Sequence, residues 1–156
     1  MKETNTGSQT IETSNVGTTT VTNHDVLKAI FHTLPDNAHI AVCSKAGDPT
    51  QGGWSATKFE AKQRFDLNRN QYFNCATFKL NDKGNISAKK EYFAGLHAIV
   101  LDDVGSKIPV EKLGELKVSA KIETSPGNYQ VILILDQPIV DIAEATAFQK
   151  RFIDAG

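Results

Sequence analysis

Apolar positions along the chain follow two periods, one near 3.6 and one near 2. In NHDVLKAIFHTLP the residues Val26, Leu27, Ile30, Phe31 and Leu34 share one helical face. This predicts a helix with Asn23 or Asp25 as its cap and Pro35 as its stop. HIAVCSK (39–45) reads as a strand, and the Gly, Pro and Asp of AGDPTQGGW as a loop. SATKFEAKQRFDLN predicts a short helix with Phe59 and Phe65 on or near its apolar side. The aromatics of QYFNCATFKL (71–80) favour a strand, and NDKGN a turn. ISAKKEYFAGL fits either a helix or an extended connector, whereas the short apolar run of HAIVLDD predicts a strand.

Pro109 opens IPVEKLGELKVS, which predicts a brief helical turn. AKIETS (120–125) and YQVILILD (129–136) then read as two strands around an SPGN turn. In DIAEATAFQKRFIDAG, Asp141 and Glu144 have capping-box spacing, and Ala145, Phe148 and Phe152 share a face. No internal repeat is visible. The expected fold class is α+β (mixed α/β), a largely antiparallel sheet flanked by helices. Residues 1–22, rich in Thr, Ser, Asn and Gly, read as a flexible leader, and residues 23–156 as the domain.

Composition changes this picture little. The 156 residues suffice for one domain with a real core. A net charge of −1 gives no global push toward nucleic acid, although a local basic groove is compatible with it. No apolar run approaches the length of a membrane span, and the polar N-terminus is no signal peptide, so no membrane partner is expected. Cys43 and Cys75 lack metal-ligand spacing and read as small core residues in a reducing cytoplasm.

Chemistry concentrates in HAIVLDDVGSK (97–107), where a strand ends on adjacent acids, Asp102 and Asp103. Neighbouring carboxylates repel each other and are costly to desolvate. Either they cap a solvated turn, or a divalent cation sits between them. Successive strand residues point to opposite faces, but a twist or bulge at Val104-Gly105 would aim both acids at one pocket. Mg²⁺ commonly uses one or two protein carboxylates plus substrate phosphates. A second constellation lies in ETSPGNYQVILIL. Its glycine-containing turn lets backbone N–H groups approach an anion, and Ser125 and Asn128 add donors.

Together, LDDVGSK and ETSPGNYQ resemble the RepB-type primase domains of plasmids and phages, within the archaeo-eukaryotic primase or primase-polymerase superfamily. NRNQYFNCATFKLN, FAGLHAIVLDDVGSK and ILDQPI extend the resemblance over roughly residues 37–156. It implies a primase-polymerase fold and template-directed nucleotidyl transfer from an NTP or dNTP by a two-metal mechanism. Mg²⁺ or Mn²⁺ would be held by Asp102 and Asp103, positioning the triphosphate and activating the primer 3′ hydroxyl. Ser125, Gly127, Asn128 and Gln130 would lie at the nucleotide phosphates, where many relatives carry a histidine that this turn lacks. Lys107 would contact phosphate or template. Single-stranded DNA would be the template, a helicase a partner in cis or trans, and the cytoplasm of a bacterial host the location.

Relatives usually continue past a helix like 141–154 into a third acid and an Arg-rich segment. The chain is therefore expected to be an N-terminal portion of the full domain. Asp136, placed too close to the hairpin, and Asp154, in the helix tail, are the late acids available. His24, His32 and His39 lack partner spacing, and His97 lies roughly 15 Å along the strand from Asp102. Trp54 reads as a core anchor before a base-stacking aromatic. Two other classes fit the same residues: a non-catalytic nucleic-acid or partner-binding module with a degenerate primase fold, and a metal-dependent nuclease.

Overall fold

The computed structural model describes residues 20–53 and 55–155. Trp54 and all of the expected leader except Thr20, Val21 and Thr22 lie outside them. Six strands form one antiparallel sheet in the order β2-β1-β3-β4-β6-β5. They are β1 (His39–Lys45), β2 (Thr57–Lys58), β3 (Asn70–Phe78), β4 (Phe93–Val104), β5 (Ala120–Ser125) and β6 (Asn128–Ile139). Helix α1 (Asn23–Ile30) precedes the sheet and α2 (Ile142–Asp154) follows it. The α+β class and the antiparallel sheet are as the sequence predicts. Among the described residues no helix is long and apolar enough to cross a membrane.

The two helices cover opposite faces, because alternate residues of the central strands point opposite ways. Ala98 and Ile132 join Leu27, Ile30, Phe31 and Val42 in a core under α1, with Val100 packed against it. Ile99 and Leu96 meet Ala145 of α2, with Leu101, Leu133 and Phe148 alongside. Burying each such aliphatic chain contributes about 1.5–3 kcal/mol, so the middle of β4 is locked from both sides.

Three local expectations change. The cap of α1 is Thr22: its hydroxyl accepts the Asp25 N–H at 3.2 Å, and Asp25 returns a bond to the Thr22 N–H at 2.9 Å. This capping box contributes about 1 kcal/mol, and it puts Thr22 in the fold, not in a leader. The helix ends at Ile30, leaving Leu34 46% exposed. Residues 55–68 hold the two-residue β2 and turns in place of a helix. Phe59 and Phe65 stack at 6.0 Å, and His24 packs against both. The open choice over ISAKKEYFAGL resolves into a single turn at Lys90–Tyr92 followed at once by β4.

Candidate functional site

Asp102 and Asp103 stand where the pairing of β4 with β6 slips. Leu101 lies opposite Val131, and the next matched pair is Val104 with Tyr129, so β4 gains one residue. That extra residue is a β-bulge. Asp103 absorbs it with a φ of 56°, in the left-handed region that aspartate tolerates better than most residues. Its carbonyl then accepts three successive amides, from Ser106 (3.2 Å), Lys107 (2.9 Å) and Ile108 (3.1 Å), which closes a tight turn.

The bulge separates the two carboxylates instead of aiming both at one pocket. Asp102 is exposed, lines a cleft beside β3, and its Oδ1 accepts the Asp103 N–H at 2.9 Å. Asp103 turns toward the β5–β6 hairpin. Lys107 Nζ donates to its Oδ2 at 2.5 Å, and Asn128 Nδ2 makes a long contact of 3.4 Å to its Oδ1. These two hydrogen bonds, Lys107 first, hold the Asp103 carboxyl below its ordinary range, and the same bond raises Lys107. Both groups are charged at neutral pH.

The acid turn and the hairpin interlock. Gly105 has a φ of 95°, and a Cβ built there would sit 2.3 Å from the Gly127 carbonyl oxygen. Only glycine permits that approach. Beside it, Ser106 Oγ donates to Asn128 Oδ1 at 2.6 Å, and Asn128 Nδ2 donates to Thr124 Oγ1 at 3.1 Å. Glu123 Oε1 accepts the Gly127 N–H at 3.0 Å, and Lys121 lies 3.7 Å over the Tyr129 ring.

The structure therefore gathers Asp103, Lys107, Gly127 and Asn128 in one place. Ser125 is an exposed hairpin residue opposite Asn128, and Gln130 faces a separate cleft with Phe73 and Val100. Sequence reasoning passed over Ser106, Thr124 and Glu123. Ser106 stood inside the quoted motif, but only the folded hairpin supplies its partner. Among the described residues no group of three or more His, Cys, Asp or Glu side chains gathers to hold a metal ion. Asp136 lies eight residues up β6 from Asn128, about 26 Å away. It is too far from the hairpin, not too close. Both Asp154 oxygens accept from Lys150 at 2.7 Å.

His97 is 2% exposed, bonded through Nε2 to Thr77 Oγ1 at 3.0 Å, with its ring 5.0 Å from that of Phe31. It is a core histidine, and burial pushes its pKa down to about 4. Cys43 and Cys75 are free thiols, half-buried, and burial raises Cys75 to about 11. No family model matches the chain, and no curated protein or solved structure matches it.

Proposed function

We propose that the chain carries a nucleotidyl-transfer site of the primase-polymerase kind, acting in phage or plasmid DNA replication with single-stranded DNA as template and an NTP or dNTP as donor. One observation carries this reading: the interlock that sets the Asp103 carboxylate and Lys107 against a glycine turn and the Asn128 amide, with Asp102 next to it at the strand end. Carboxylate oxygens such as those of exposed Asp102 and half-exposed Asp103 are what a hard divalent cation such as Mg²⁺ or Mn²⁺ takes together with substrate phosphates. Since the bulge turns the two apart, a cation would draw on either one with the phosphates. Bound there, the cation would neutralise charge developing on the transferred phosphoryl group and align attacking and leaving oxygens.

The chain's own groups have separate tasks. Asp102 stands exposed at the mouth of the cleft beside β3. Lys107 neutralises Asp103 in the free protein, and its exposed ammonium exchanges that carboxylate for a phosphate oxygen when a nucleotide arrives. Gly127 and Asn128 present the hairpin tip to the triphosphate, with Ser125 at its rim, while Gln130 in its separate cleft would reach the nucleotide only away from the tip. The 3′ oxygen attacks the α-phosphorus, pyrophosphate departs, and the hydroxyl proton passes to solvent. Primer extension with Mn²⁺ should fall at least about a hundredfold when Asp102 and Asp103 both become Ala. Undiminished extension by that variant would end this reading.

A second reading rests on the Asp103–Lys107–Asn128 contacts, which give Asp103 a purely structural task. The chain would then be a non-catalytic nucleic-acid or partner-binding module. Saturable Mn²⁺ and nucleotide binding that depends on Asp102 favours the transferase, and its absence the module.

A further inference from the structure

β3 and β4 are neighbours in the sheet, yet they pair only through Ala76 with Leu96, Thr77 with Gly95 and Phe78 with Phe93. The cause lies in β3. Against β1 its register passes from Thr77, opposite Ile40, to Phe73, opposite Val42: four residues on β3 against two on β1. Asn74 Oδ1 accepts the Ala76 N–H at 2.9 Å inside this irregularity. A bulge bends its strand, and the β3–β4 ladder stops at Ala76, so residues 70–75 form no ladder pair with β4. Among the described residues β4 then runs on to Val104 paired with β6, and Val104 also makes an isolated bridge to Ile108.

The sheet is therefore split. On the α2 side a cleft of about 650 Å³ is lined by Phe73 and Cys75 of β3, the consecutive residues 98–102 of β4, and Phe152 of α2. On the other side a second cleft shares Phe73, Cys75 and Val100 and adds Asn70, Tyr72 and Gln130. Two strand edges face each other across this gap without pairing. Unpaired strand edges present a row of N–H and C=O groups that template a further strand.

We propose that this split is a docking slot for an extended peptide of another polypeptide, entering as a strand antiparallel to β4 and parallel to β3. Its composition follows from the walls. Residues toward α2 meet Ile99, Leu101 and Phe152, whereas residues toward the other face meet Asn70, Tyr72 and Gln130. The peptide alternates apolar and polar side chains with a period of two. Running antiparallel to β4, it brings its N-terminal end beside Asp102, where a cationic residue complements the carboxylate. This inference rests on the unpaired backbone; it shares Asp102 with the nucleotidyl-transfer reading, so a peptide and a metal would compete there, and its test leaves both metal and nucleotide out.

Hydrogen exchange on the full chain tests it, with no metal or nucleotide present. The probe is a decapeptide of two lysines followed by four Val-Thr repeats. It should slow exchange of the slot-facing amides within residues 98–102 by about tenfold or more. The same peptide N-methylated at alternate residues keeps its side chains and loses its donors, so it should give no protection. Unchanged exchange at millimolar probe, or equal protection by the methylated peptide, would overturn the proposal. Asp102→Asn should weaken probe binding about threefold or more at low salt; equal affinity would overturn the assigned direction.

Discussion

His97 and Asp103 stand on the same strand, and the protein handles them in opposite ways. His97 lies in the double-sided core, where removal of water disfavours its charged form and Thr77 suffices as a partner. Asp103 lies where β4 leaves that core, and it keeps its charge because Lys107 and Asn128 bond to the carboxylate. Both pKa values are lowered, yet one shift keeps a group neutral and the other keeps a group ionised. Position along β4 decides between them: the middle is covered by helices on both faces, and the end is braced by a turn.

The strongest way to break the comparison is to remove the brace. Gly105→Ala combines left-handed strain with an overlap against backbone, and should destabilise the fold by about 4 kcal/mol in urea unfolding. A loss below about 1 kcal/mol would mean that the two turns do not abut in solution. The next effect comes from acid. Because the folded pKa of His97 is about 4 against an ordinary 6.5, the unfolded chain binds more protons between those values. Stability is therefore fully present above pH 6.5 and is lost as pH falls toward 4, by roughly 3 kcal/mol for this residue. NMR should find the His97 ring neutral at pH 5; titration near 6.5 would contradict this. The smallest effect sharpens the other pole. Lys107→Met removes an exposed ion pair, so stability should stay within error of the parent, while the Asp103 carboxyl pKa rises in a ¹³C titration. An unmoved Asp103 would mean that Lys107 spends little time on it.

Much of this architecture is legible in the sequence because it depends on near neighbours. The apolar run ending at Asp102 and the Pro126-Gly127 turn fix two strands and a hairpin through local backbone preference. The capping Asp141 accepts the Glu144 N–H at 2.8 Å, as its spacing foretells. Failures come where long-range packing overrides the pattern. Phe59 and Phe65 suggest one helical face, yet they stack on each other and on His24 from turns. The β3 irregularity has no glycine or proline to announce it. Asn74 makes it with a side chain that bonds two residues onward. At the site, sequence supplies both acids and the turn, but not their divergence. That follows from one residue gained by β4 over β6, a relation between strands far apart in the chain.

The contact between Gly105 and Gly127 also has a mechanical consequence. Backbone meets backbone there, so neither turn has a side chain that can rotate out of the way. A shift of the hairpin tip toward the acid turn therefore has no side-chain rotamer to absorb it at that contact.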